Sequence, residues 1–253
     1  MSRDTQTQKR RTAKQRRGWP TLDVALGLVP LLAVSFATCW MLALPTSQVA
    51  LVVAPYLGLG ALLLAMLPAS QAGPGLGPAN RLTLARATLV LPLLAPTLWP
   101  GQFNAEGYWW IVGLSTVALI LDALDGPLAR RTNSESAFGA RFDMELDAFL
   151  LMVLSVLLWR SGKVGPWVLL VGGLRYFFVA GGLLWSPLRG VLPPSQRRKV
   201  VCAVQGIVLV FCLAPVIPST PATALAATAL LLLVYSFVVD GWWLARRDRT
   251  RER

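Results

Sequence analysis

The chain has 253 residues, 55% of them hydrophobic and only 14% charged, with a mean hydropathy of +0.57. Soluble domains carry about 25% charged residues, so a water-exposed globular surface is excluded and a polytopic membrane protein is expected. The absence of histidine removes imidazole catalysis and histidine metal ligation, and a net charge of +12 calls for anionic surroundings.

Residues 1–20 form a basic tail, with seven Lys/Arg up to Arg17 against Asp4. No aromatic or fold motif accompanies it, so a tail held at the anionic cytoplasmic leaflet is expected, and no nucleic acid partner. A long apolar span follows it rather than a short signal-peptide core with a cleavage site. Apolar windows broken by Pro, Gly and Arg clusters predict eight spans at 22–43, 48–68, 82–99, 108–129, 140–159, 165–185, 199–217 and 222–244. The first two, with a Gly/Pro-rich hinge at 71–78, occupy residues 21–78. The third is short and holds Pro92 and Pro96, so a kink or tilt is expected there. The chain closes on a second basic tail at 246–253. The expected class is all-α, a polytopic transmembrane helical bundle.

Side and depth follow from the polar residues. Arg81, Arg130, Arg131, Arg141, Arg189, Arg197, Arg198 and Lys199 lie in alternate loops, and the opposite loops lack Lys and Arg apart from Arg160 and Lys163. Positive-inside reasoning puts these loops and both termini in the cytoplasm. Trp40, Trp99, Trp109, Trp110, Trp159, Trp242 and Trp243 are among the tryptophans near span ends, as an interfacial belt requires. Cys39, Cys202 and Cys212 sit in apolar runs without ligand spacing and read as small buried residues. Composition rich in Ala, Leu and Arg points to a bacterial inner membrane.

The acidic residues crowd into one place. Asp122 and Asp125 are i,i+3 near the cytoplasmic end of the fourth span, and Asp143 and Asp147 are i,i+4 near the start of the fifth. Each pair shares a helix face, and a short loop brings both to the same depth. Four converging carboxylates repel one another unless a cation lies between them. An all-oxygen donor set without His or Cys favours Mg²⁺, Mn²⁺ or Ca²⁺ over zinc. Gly126, Ala129 and Gly139 lie along the same stripes, where small side chains let a flat or phosphorylated ligand approach the backbone. Arg130 ends the stripe and can pair with phosphate oxygens. The bland alternative is helix packing through small residues with the acids paired to nearby arginines.

Asp122, Asp125, Gly126, Ala129, Arg130, Gly139, Asp143 and Asp147 together resemble the signature of the CDP-alcohol phosphotransferases, D-x2-D-G-x2-A-R-x8-G-x3-D-x3-D, at every fixed position and spacing. Asn80, Thr83 and Arg86 resemble the family's N-x-L-T-x-x-R entry to its first helix. Lys199, Cys202 and Gln205 resemble a Lys…Thr…Gln segment of the glycerophosphate-using branch, with Cys202 where Thr stands. The resemblance implies a six-helix core over residues 79–245, preceded by two extra spans on which it is silent. It also implies that Asp122, Asp125, Asp143 and Asp147 hold Mg²⁺ or Mn²⁺, two ions in all, with Asp147 the general base. Gly126, Ala129 and Gly139 would then form the nucleotide wall, and Arg130, Asn80 and Thr83 would contact phosphate or nucleotide. Pro127 falls at a variable position and is expected to bend the fourth helix after Asp125.

The expected reaction transfers a phosphatidyl group from CDP-diacylglycerol to a small polar acceptor, releasing CMP. Basic residues around the site favour a phosphorylated polyol, glycerol 3-phosphate first and inositol phosphate second. Arg175, inside the sixth span's apolar run, is expected to line the acceptor pocket or pair with the acids. Arg86 and Arg81 either meet phosphate or snorkel to the headgroups. Arg189, Arg197, Arg198 and Lys199 form a cytoplasmic patch of which one member, such as Lys199, touches acceptor phosphate. The family implies a homodimer. The alternatives are a CDP-choline or CDP-ethanolamine phosphotransferase acting on diacylglycerol, a divalent-cation transporter, and an inactive scaffold.

Overall fold

The computed structural model describes residues 3–66, 76, 78–99, 101–131, 137–184 and 195–251; side chains are described over most of these, but not for 3–19, 66, 78–79, 125–131, 137–138, 140–141, 184, 245 or 247–251. The described residues are almost all helical, without strands. Its helices are α1 (Arg3–Met41), α2 (Val49–Met66), α3 (Pro78–Val90), α4 (Leu94–Leu98), α5 (Ala105–Arg131), α6 (Ala137–Arg160), α7 (Leu169–Leu184), α8 (Gln196–Leu213) and α9 (Ser219–Arg251). A helix stands at each of the eight expected spans, the third being α3 and α4 joined by a 3₁₀ turn at Leu91–Leu93. Pro92 sits in that turn, where its missing N–H interrupts the regular ladder.

Among the described residues, six segments are long and apolar enough to cross a membrane: Pro20–Met41, Thr46–Ala65, Asn80–Leu98, Ala105–Leu124, Pro166–Leu183 and Ser219–Leu244. α6 and α8 fall outside this set because charges crowd one end of each, Asp143, Glu145 and Asp147 in one and Arg197, Arg198 and Lys199 in the other. The two tails differ from the sequence expectation, since α1 runs back through the basic residues to Arg3 and α9 forward to Arg251. Lys, Arg, Gln and Ala are good helix formers, so both tails extend a helix already nucleated by an apolar span, and α1 does so through Pro20. α5 continues through Pro127 to Arg131 as one helix. The hinge at 71–78 lies almost wholly outside the described residues, as do Trp185 and Arg189.

Two compact units divide the chain, residues 1–99 with 113–146 and residues 100–112 with 147–253, so the boundary passes through α5 and α6. In the first unit α1 packs on α2 and α3. A methyl group at Gly27 would lie 2.0 Å from Tyr56 Oη, and one at Gly60 would lie 2.5 Å from Val24 Cγ1. These two glycines let α1 and α2 approach closely enough for Tyr56 Oη to donate to the Val24 carbonyl at 3.0 Å. The Asn80–Leu98 span is 67% buried against 28% for the other five, so it is the most enclosed of the six.

The second unit is organised around the antiparallel pair α8 and α9. Along it Cys212 Sγ donates to Ala222 O, Gln205 Nε2 to Ala229 O and Arg197 Nη1 to Ser236 O, partners stepping in opposite directions along the two helices. Lys163 breaks the positive-inside pattern, and here its reason is visible. Its Nζ donates to Cys212 O at 3.2 Å and Ala214 O at 2.6 Å, at the C-terminal end of α8. Burial pushes its ammonium below the ordinary lysine range, and the carbonyl contacts offset that cost. Exposed Trp40, Trp109, Trp159, Trp242 and Trp243 agree with the expected belt. Cys39 and Cys212 are buried free thiols, and Cys202 is half-buried.

Candidate active site

The site grows from α5 and α6, whose facing ends carry the acidic pairs. Asp122 lies on α5, and Asp143 and Asp147 follow one another by a turn of the unbroken α6. One carboxylate oxygen from each of the three lies within 4.8 Å of the others, and all three residues are half-buried. Oxygen-only donors this close, partly shielded from water, fit a hard divalent cation and repel one another without a positive partner. The expected fourth member, Asp125, is placed by its backbone on α5 three residues after Asp122, and its side chain lies outside those described. The side chains of Ala129 and Arg130 are outside them as well. Gly126 belongs to the same stretch of α5, and Gly139 is half-buried in the first turn of α6.

The positive partner is Arg86. Its side chain is fully buried, the largest such side chain among the described residues. Its Nη1 lies 2.8 Å from Asp122 Oδ1 and also bridges to Asp143 Oδ1. Snorkelling toward the headgroups is therefore overturned for Arg86. A guanidinium with zero exposure next to two carboxylates is held by charge pairing and cannot reach solvent. The pairing of acids with a nearby arginine thus coexists with the carboxylate cluster. Arg86 comes from 36 residues before Asp122 and 57 before Asp143, beyond any helical periodicity.

The remaining residues of the α3 entry line up behind Arg86. Asn80 and Thr83 are each 5% exposed, and spacings of three place Asn80, Thr83 and Arg86 on one side of α3. Asn80 Nδ2 donates to the Leu76 carbonyl at 2.9 Å, which fixes the direction of its amide. Arg81 points elsewhere. Its Nε donates to Asp23 Oδ2 at 2.9 Å while half of its side chain stays exposed.

In the second unit Arg175 is half-buried in the middle of α7. Lys199 is exposed in the first turn of α8. Arg197 and Arg198 share one carboxylate oxygen of Asp240, at 2.5 and 3.4 Å. Gln205, expected with Lys199 and Cys202, is fully buried with its amide on α9. Two acidic residues with evident structural roles were not singled out from sequence, Asp23 and Asp240. Asp240 interrupts an apolar run (Ser236-Phe-Val-Val-Asp240), and a charge in such a run is a signal for a buried partner. Asp23 lies so close to a span end that solvent would account for it equally well.

The profile of the CDP-alcohol phosphatidyltransferase family matches residues 77–243, about two thirds of the chain. The chain belongs to this family, whose members are transferases of substituted phosphate groups acting in phospholipid biosynthesis. The family is divalent-metal dependent, in keeping with the three-carboxylate cluster. No curated protein and no solved structure matches the chain significantly.

Proposed function

We propose that the protein transfers the phosphatidyl group of CDP-diacylglycerol to the hydroxyl of a phosphorylated polyol, glycerol 3-phosphate before inositol phosphate. The observation that carries the reading is the convergence of Asp122, Asp143 and Asp147 within 4.8 Å inside a chain of this family. Asp122, Asp125, Asp143 and Asp147 would hold Mg²⁺ or Mn²⁺, which when bound supplies charge neutralisation for the diphosphate. Asp147 takes the proton of the acceptor hydroxyl as its oxygen attacks the lipid-side phosphorus. The bond from that phosphorus to the bridging oxygen breaks, and CMP leaves with the electron pair. Gly126, Ala129 and Gly139 provide the wall along which the nucleotide lies, and Arg130, Asn80 and Thr83 contact its phosphates or base. Arg86 holds the carboxylates of Asp122 and Asp143 in place from behind.

The acceptor assignment draws on the basic residues at the start of α8. One carboxylate, Asp240, shared by Arg197 and Arg198 leaves a net positive charge there, with Lys199 added. Positive-inside asymmetry supports a cytoplasmic site and cytoplasmic termini, where a water-soluble nucleotide head meets a lipid tail. The reading places the protein in a bacterial inner membrane as a homodimer.

The test is CMP release by purified protein with CDP-diacylglycerol and Mg²⁺, against glycerol 3-phosphate, inositol 1-phosphate, inositol and serine. Release that depends on one phosphorylated acceptor, and vanishes with EDTA and in Asp147→Asn, is expected. Release with serine or free inositol alone would overturn the acceptor assignment. Silence with every acceptor would overturn the donor assignment as well.

A further inference from the structure

The family match begins at residue 77, so α1 and α2 lie outside it, yet one of their side chains reaches the entry of α3. Asp23 on α1 is 12% exposed, and its Oδ2 accepts from two groups, the Leu76 backbone N–H at 2.8 Å and Arg81 Nε at 2.9 Å. Leu76 is fully buried, and its carbonyl is the acceptor for Asn80 Nδ2. A single peptide segment is thus gripped on its N–H by α1 and on its C=O by the residue that opens the α3 motif. α1 is itself immobilised one residue later, where the Val24 carbonyl accepts from Tyr56 of α2 and Val24 seats against Gly60.

A carboxylate this shielded at a span is costly unless its lone pairs are used. Its partners lie just before α3, at Leu76, and in its first turn, at Arg81, and the buried Arg86 lies further along α3 on the face that Asn80 opens. We propose that Asp23 is a positioning residue for the substrate site: through Leu76 it sets the orientation of Asn80, and through Arg81 the register of α3. The two N-terminal spans are then a brace for the nucleotide side of the site. This rests on the reading above in that Asn80 meets the CDP-lipid.

The experiment compares full-length wild type, Asp23→Ala, Asp23→Asn and Tyr56→Phe in the same lipid nanodiscs. It reads kcat and KM for CDP-diacylglycerol, the thermal midpoint, and amide exchange over residues 76–86. Asp23→Ala removes a charge-assisted acceptor for both donors, so KM is expected to rise about tenfold with kcat changed by less than about threefold. Exchange at Leu76 should accelerate. Asp23→Asn keeps an acceptor oxygen for the Leu76 amide and should recover part of the KM loss. Tyr56→Phe removes a hydrogen bond of the same brace without touching Leu76 or Arg81, so it should lower the midpoint and raise KM by less than Asp23→Ala does.

Equal KM shifts in Tyr56→Phe and Asp23→Ala would reduce Asp23 to a stability role and overturn the proposal. So would Asp23→Ala with wild-type KM and wild-type exchange. A wild type that releases no CMP with any acceptor refutes the phosphatidyl-transfer reading separately. Exchange at Leu76 then still decides the Asp23 linkage, which stands if Asp23→Ala accelerates it and falls if it does not.

Discussion

Replacing Arg86 by methionine keeps much of the side chain's length and removes its charge from between Asp122 and Asp143. Breaking a fully buried ion pair by deleting one partner costs about 3–5 kcal/mol, because the remaining charge is stranded. Here the guanidinium has no exposure, but the side chains of Asp122 and Asp143 are 33% and 34% exposed and can hydrate when released. That solvent access lowers the expected loss to about 2–3 kcal/mol in metal-free protein. A bound cation offers the same carboxylates the charge they have lost, and a ligand at a hundred times its Kd stabilises by about 2.7 kcal/mol. Arg86→Met should therefore be clearly destabilised in EDTA and recover most of that loss in Mg²⁺. The assay is thermal unfolding in detergent across a Mg²⁺ titration, for wild type and variant together. The variant's gain should exceed the wild-type gain by at least about 1 kcal/mol, since in wild type the guanidinium already neutralises the cluster. Identical Mg²⁺-induced shifts in the two proteins would refute the claim that Arg86 and a cation neutralise the same carboxylates.

Asp147→Asn should lower CMP release by about 10²–10⁴-fold, the range of a general base, while CDP-lipid binding survives in a filter or fluorescence assay. Asp122→Asn should instead weaken Mg²⁺ binding, seen as a rightward shift of the metal titration of activity. Chelation by EDTA should abolish CMP release, with recovery on added Mg²⁺ or Mn²⁺. Gly172→Ala would set a methyl group 2.4 Å from Met152 Cα, a backbone atom that cannot step aside. The variant should lose about 1–3 kcal/mol of stability by thermal unfolding. Lys163→Met frees the Cys212 and Ala214 carbonyls at the end of α8 and should cost about 1–2 kcal/mol by the same measurement.

The site was legible in part before any tertiary contact was known. Asp122, Asp143 and Asp147 stand out because helical spacing of three and four puts carboxylates on shared faces, and a short connection holds the two helices level. Arg86 was visible only as a member of a motif, with phosphate contact and snorkelling both open. What it does is decided by the burial of α3, a packing property. Gln205 was grouped with Lys199 and Cys202 by spacing along α8, yet its amide turns to α9, because spacing fixes the face of a helix and not what faces it.

The sequence suffices to put this protein in a membrane, to locate its helices, and to show which residues share a helical face. Apolar run length, proline positions and periodicity are local quantities, and a helix in lipid has no other way to satisfy its backbone. The tertiary structure alone decided that Arg86 closes on Asp122 and Asp143, and that Asp23 reaches Leu76 and Arg81. It likewise decided that Asp240 gathers Arg197 and Arg198, and that Lys163 caps α8. Each of these partners lies 42 to 58 residues away, Arg86 and Asp122 excepted at 36. Over such separations the pairing depends on how each helix is rotated against its neighbour, and that rotation is set by packing, where Gly27, Gly60 and Gly172 permit close approach.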